Sequence, residues 1–461
     1  MVPGLRVVHP VLGAGVVARV VDGGRKCVVR FDGRPSVPEV LPVDSLGYAL
    51  QRPIKLRSEV APGPGEEAVD TMRPRARANR QSLEALRLGV VPVCGLHALT
   101  VGRHAELARV EELLDRRAGM MVLSGGYGSG KTHMVELAEA EALQRGFLVA
   151  RATFDPVEVP PSHPLRLYAA LMRQLSYPDG SGTGLRPLLE SLGDSARHLT
   201  GNRWHRWLSA ALFAVTRADG ELSESVVDFV EGRSRDDLDD LSRRLAGLGY
   251  RRPRMLALPD YRTFGQVMAY LLGGVATWAA DAGYKGLLLL LDEAEYLDQL
   301  AATARQMAEN VLKYLAVGAL PADALAFDPC TVYRGGHATH RSIPTRFSAG
   351  QPLAVLCAFT PNAQVDYVLS GIFRAPEHRI ELEPVRASLL PVLAEKVFGM
   401  VRQVYPELDP EPDHRQRVTR ALAMGFRSGD VSTTRQAARM VVEFWDLYRV
   451  DPSRALAALA P

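Results

Sequence analysis

Gly125-Gly126-Tyr127-Gly128-Ser129-Gly130-Lys131-Thr132 decides the fold class, because it satisfies G-x-x-x-x-G-K-[ST] at every fixed position. Met120-Met121-Val122-Leu123 before it reads as a short buried strand, and Thr132 to Ala142 after it repeats its apolar residues at helical spacing. The order strand, glycine loop, helix predicts a phosphate cradle at a helix N-terminus, where backbone N–H groups and the helix dipole both favour phosphate oxygens. Lys131 is expected to reach the β- and γ-phosphates of a nucleotide, and the Thr132 hydroxyl to ligate Mg²⁺. Gly125 to Thr132, together with His133, form the expected nucleotide-binding set.

Hydrolysis needs a metal-holding carboxylate and a base, and Leu287-Leu288-Leu289-Leu290-Leu291-Asp292-Glu293 offers both. Five leucines in a row predict a strand buried on both faces, as in a parallel sheet. Asp292 at its end is the expected Mg²⁺ partner, and Glu293 the general base that polarises the attacking water. A core strand running into a solvated acidic turn is the plainer alternative; beside an intact phosphate loop the catalytic reading prevails. Glu295 reads as the start of a helix.

Composition fits a soluble enzyme of two or three domains: 461 residues, 47% hydrophobic, with 55 basic against 52 acidic side chains for a net charge of +3. So even a balance supplies no global field for nucleic acid, and any such surface is local. Cys27, Cys94, Cys330 and Cys357 are scattered, which is the usage of reduced thiols, and no apolar run is long enough for a membrane span. The expected compartment is the cytoplasm, with no membrane partner.

Residues 1–48 read as strands cut by turns: Arg6 to His9, Gly15 to Val21 and Lys26 to Phe31, with Asp22-Gly23-Gly24 as a hairpin turn. A small all-β barrel is the expectation. Its Val8-His9-Pro10 and Val29-x-Phe31-Asp32 pattern resembles Tudor-like or SH3-like barrels, which implies contacts to protein or duplex nucleic acid. Residues 49–80 turn to proline, glycine and charge and read as a linker, whose Arg73, Arg75, Arg77 and Arg80 suit a solvated tether or a phosphate grip.

Upstream of the loop stand Glu84-Ala85-Leu86-Arg87-x-Gly89-x-Val91-Pro92 and Val101-Gly102-Arg103, so three motifs occur in fixed order. In that order they resemble the P-loop ATP-binding proteins of BREX anti-phage systems, BrxD, over Arg80 to about Arg449. The resemblance implies an α/β fold: an AAA+-like P-loop parallel sheet with a large helical insertion and a C-terminal helical region, here preceded by the barrel. It implies ATP and Mg²⁺ as cofactors, Gly102 and Arg103 beside the nucleotide, and a role in defence against foreign DNA. Implied partners are double-stranded DNA and a defence protein such as a helicase, with homo-oligomerisation left open. The core is then 81–375, with an insertion at about 162–275, and 376–461 a helical lid or winged-helix-like region.

The insertion follows from spacing, since roughly 160 residues separate Lys131 from Asp292, several times a βαβ unit. Phe147 to Ala152 reads as a second strand, and Leu165 to Leu175, Arg206 to Val215 and Leu238 to Leu248 as helices. Trp204, Trp207, Tyr250 and Tyr261 beside Arg203, Arg206, Arg251, Arg252 and Arg254 suit either a nucleic-acid groove or a core. Pro352 to Phe359 predicts another buried strand, and the resemblance makes Thr360 at its end a sensor of the γ-phosphate. Ser432-Thr433 caps a helix to about Tyr448, which puts Arg435 in its first turn as the second sensor implied by the AAA+ likeness. Arg374 and Arg379 are candidates for a transition-state arginine given to a neighbour. Cys330, His337 and His340 are an imperfect zinc set in a basic loop, so the loop reading is preferred. Two other classes stay open: a DNA-loading module, and a scaffold that holds ATP without hydrolysing it.

Overall fold

The computed structural model describes the backbone of the strands within residues 6–48, and residues 74–459 apart from 93, 94, 235, 384 and 385. The chain divides into two compact units, Met1–Thr71 and Met72–Pro461. In the first unit, β1 (Arg6–His9), β2 (Gly13–Val21), β3 (Lys26–Phe31), β4 (Arg34–Pro42) and β5 (Gly47–Tyr48) pair antiparallel in the order β4-β3-β2-β1-β5. Among the described residues no pairing joins β4 to β5, so the expected closed barrel is not shown; the sheet is. The turn at Asp22-Gly23-Gly24 and the linker up to residue 73 lie outside the described residues, while the last stretch assigned to the linker is helical, as part of Pro74–Arg87.

The second unit is built on five parallel strands: β6 (Gly119–Ser124), β7 (Leu148–Thr153), β8 (Leu287–Asp292), β9 (Leu353–Phe359) and β10 (Arg379–Glu381). Their order is β10-β6-β9-β8-β7. The expected strands at residues 120, 147, 287 and 352 are all present within a residue or two. Strands buried on both faces need no polar alternation, which is why β9 is apolar throughout, β6 and β8 are apolar up to their last residues, Ser124 and Asp292, and all three are buried.

The two-residue period then sorts these strands between two cores. Leu288 and Leu290 of β8, Met121 and Leu123 of β6, Ala354, Leu356 and Ala358 of β9 and Val149 of β7 pack with Val135, Leu137 and Ala138 of the helix Lys131–Gln144. Leu287, Leu289, Leu291, Val355 and Phe359 face the other way, into a larger core built from the helices between β7 and β8 and the helix Ala302–Ala319 after β8. The intervening helices run from Pro164–Arg173 to Gly265–Asp281. They bury what the sequence left open: Trp207 is fully buried with its indole N–H on the Leu256 carbonyl, and Tyr250 is buried, so neither is free to stack on a base. Trp204 is half-buried under the Arg206 guanidinium, and Tyr261 alone of the four is exposed.

Beyond β10 the chain forms a helical bundle, Leu390–Val404, Pro412–Ser428, Thr434–Val450 and Pro452–Ala458, with its own core around Val397, Leu422, Val441 and Trp445. Pro74–Arg87 joins it: Leu83 packs in this core and Arg87 pairs with Asp446. Among the described residues no helix is long and apolar enough to cross a membrane.

Candidate nucleotide site

All five strands of the parallel sheet point their carboxyl ends the same way, so Ser124, Thr153, Asp292 and Phe359 end at one edge, from which the phosphate loop leaves. Parity decides which side chains meet. Asp292 continues the face of Leu288 and Leu290, Thr360 continues that of Leu356 and Ala358, and both faces lie under the helix that the loop opens. Residues more than 200 positions apart therefore converge. Lys131 Nζ donates to Thr360 Oγ1 at 2.9 Å and to the Gly125 carbonyl at 2.8 Å. Thr132 follows, half-buried, in the helix's first turn.

Asp292 is buried, and its Oδ1 accepts from the backbone N–H of Glu293 at 3.0 Å. Glu293 is half-buried at φ 57° and ψ 34°, in the left-handed region. A β-carbon there costs on the order of 1–2 kcal/mol, and such strain concentrates at functional positions. A short 3-10 helix, Ala294–Gln299, follows and takes in Glu295.

Among the described residues, a β-carbon placed on Gly126 or on Gly130 would meet nothing within 4 Å, so the space beside the loop is open, and the Ser129 hydroxyl is buried without a hydrogen-bond partner. Thr132 and Asp292 carry the hard oxygen ligands that Mg²⁺ prefers. The Gly125 N–H is held by the Phe359 carbonyl at 3.2 Å, which fixes the loop to β9. Tyr127 at the tip is 91% exposed.

Arg103 and Gly102 act from behind the loop. The buried Arg103 donates through Nη2 to the carbonyls of Ser129 (2.7 Å) and Glu383 (2.6 Å) and through Nη1 to Glu106 (2.7 Å). Gly102 has a φ of 64°, which favours glycine, and a β-carbon there would lie 2.3 Å from Leu389 Cδ1, so that side chain would have to shift. His133 sits beside them, its Nε2 3.0 Å from Thr100 Oγ1; burial, with the charges of Arg103 and His97 adding, pushes it down to about 4, so the ring is neutral. These three residues brace the loop, and their observed contacts are to protein groups.

The C-terminal bundle reaches the loop at Gly128. Thr433 is the N-cap of Thr434–Val450, in a capping box with Gln436, and its methyl would lie 2.5 Å from a β-carbon on Gly128, whose φ of 77° also favours glycine. Arg435 is exposed and lays its aliphatic stem against Gly89. Arg379 is bound within its own chain, to Asp366 at 2.7 Å and the Ser124 hydroxyl at 2.8 Å, whereas Arg374 is exposed. No group of three histidine, cysteine or acidic side chains that can hold a metal gathers among the described residues, and Cys330 is exposed while His340 is buried.

Sequence reasoning gave Arg151 no role. It lies 3.7 Å from Asp292 Oδ2 and is hydrogen-bonded to Glu136 of the phosphate helix. The signal was available in retrospect: an arginine between alanines in an otherwise apolar strand needs acids facing it.

Residues 75–202 match a family model described as BREX system ATP-binding protein BrxC/D. The match takes in Gly102, Arg103, the whole phosphate loop and Arg151, and stops short of Asp292 and Glu293. No curated protein matches the chain.

Proposed function

We propose that this chain is an ATP-hydrolysing switch of the AAA+ kind that acts in BREX-like anti-phage defence and passes its ATP state to DNA or to a partner protein. The observation that carries the reading is the 2.9 Å bond between Lys131 and Thr360, which joins the phosphate loop to the end of the strand lying beside β8. The likeness of residues 75–202 to BREX ATP-binding proteins supports the nucleotide and the setting. In this reading Lys131 turns from Thr360 and the Gly125 carbonyl toward the β- and γ-phosphates. Thr132 and Asp292 would hold the Mg²⁺, which would supply charge neutralisation for the phosphate oxygens. Glu293 takes the proton of the attacking water as the γ-phosphoryl leaves ADP, and Thr360 orients that water or the γ-phosphate. Loss of the γ-phosphate loosens the loop, and Thr433 on Gly128 carries the change to the C-terminal bundle; Arg435 is the arginine nearest to that contact in sequence.

Phosphate release by the purified chain, with and without duplex DNA, tests this. The wild type is expected to turn over ATP, Lys131→Ala to lose it, and Glu293→Gln to bind ATP while hydrolysing about 10²- to 10⁴-fold more slowly. Equally slow release by wild type and Glu293→Gln, even with DNA present, would contradict hydrolysis and leave a nucleotide-holding scaffold.

A further inference from the structure

The two residues read as metal ligands stand on elements that are not contiguous, Thr132 on the phosphate helix and Asp292 at the end of β8, and one side chain spans the gap. On β7, Val149 packs under the helix Lys131–Gln144, and the strand period puts Arg151 on the same face. Its Nη1 donates to Glu136 Oε1 and lies 3.6 Å from Glu139 Oε2, both on that helix, while Nη2 lies 3.7 Å from Asp292 Oδ2. Glu136 is one turn beyond Thr132, so the guanidinium ties the turn carrying one ligand to the carboxylate that is the other. Burial works against the Arg151 charge, but the bond to Glu136 and the charges of Glu136, Glu139 and Asp292 outweigh it and keep the group cationic.

We propose that Arg151 is a positioning residue for the divalent cation: it sets Asp292 in place relative to Thr132 before metal and nucleotide arrive. The inference rests on the nucleotide site proposed above. An opposite effect is conceivable, because a cation beside Asp292 also repels a metal. Two carboxylates of the helix already offset the charge of Arg151, so its net repulsion is small, whereas its removal takes one anchor from Asp292 and leaves Glu136, Glu139 and Asp292 repelling one another. Anchoring outweighs repulsion.

The test is binding of a fluorescent ATP analogue to the full chain, titrated with MgCl₂ and repeated in EDTA. Arg151→Met is expected to need about 10-fold more Mg²⁺ for the half-maximal gain in affinity, as when an outer partner of a metal-ligating carboxylate is lost, while affinity in EDTA stays within about two-fold. Glu136→Ala, which removes the anchor and keeps the cation, is expected to shift the Mg²⁺ requirement the same way. Arg151→Lys, which keeps the charge without the two-pronged reach, should fall between and serves alone if the methionine variant does not fold. An unchanged or lower Mg²⁺ requirement in these variants would overturn the proposal, a lower one showing that Arg151 competes with the metal. A wild type without any Mg²⁺-dependent nucleotide binding would instead overturn the site itself.

Discussion

At the scale of single residues, strain and burial mark the site as clearly as the motif does. Glu293 holds a left-handed backbone that glycine would adopt without cost. Glu293→Gly is therefore expected to raise the unfolding free energy by about 1 kcal/mol, seen as a higher melting temperature, while abolishing phosphate release. A variant that is less stable than wild type would contradict the strain argument. His133 gives a pH signature. Its folded value of about 4 lies below the ordinary 6.5, so between those values the unfolded chain binds a proton that the folded chain refuses. This contribution to stability is complete above pH 6.5 and is lost as pH falls toward 4, a total on the order of 3 kcal/mol. His205, fully buried and pushed down to about 3, adds a loss of the same sign. Denaturant unfolding measured from pH 7 to 4 should fall less steeply for His133→Gln than for wild type; an equal slope would show that His133 is already free to charge.

Elements bring these residues together through strand parity and one helix end. Gly128→Ala places a methyl 2.5 Å from the Thr433 methyl and strains a positive φ, so it is expected to lower the melting temperature and weaken ATP binding. Adding Thr433→Ser, which keeps the cap oxygen and removes the methyl, should restore part of the loss, and the shortfall from additivity measures the contact. Strict additivity would show that loop and bundle do not touch in solution. How much of this was legible differs by element. The phosphate loop, its helix, β8 and β9 were readable because a fixed motif and unbroken apolar runs leave few alternatives. The cap at Thr433 was readable from Ser/Thr before a helical pattern, but its position over Gly128 was not, since it depends on packing between segments 300 residues apart. Arg103 shows the same limit: the motif marks it, yet only the fold reveals that its donors are committed to the carbonyls of Ser129 and Glu383. Of the two readings left open for the aromatics, groove or core, Trp207 and Tyr250 take the core: sequence alone could not choose, because both side chains join a large apolar ring to a polar tip.

At the scale of the molecule, the second unit divides its labour between the two faces of one sheet. One face holds the phosphate helix, Arg151 of β7, Asp292 of β8 and Thr360 just past β9; the other anchors the inserted helices, whose packing buries β8 from behind. The proposed site draws on the loop at 125–132, Arg151 of β7, Asp292 at the end of β8, Thr360 just past β9 and the cap at 433, and it requires that they meet around one metal-bound triphosphate. A structure of the chain with Mg²⁺ and a non-hydrolysable ATP analogue tests this most directly. The account predicts the triphosphate within the loop, the metal about 2.0–2.1 Å from Thr132 Oγ1, and Asp292 holding it directly or through one water. A triphosphate bound elsewhere, or a metal with Asp292 and Glu293 turned away from it, would contradict the account.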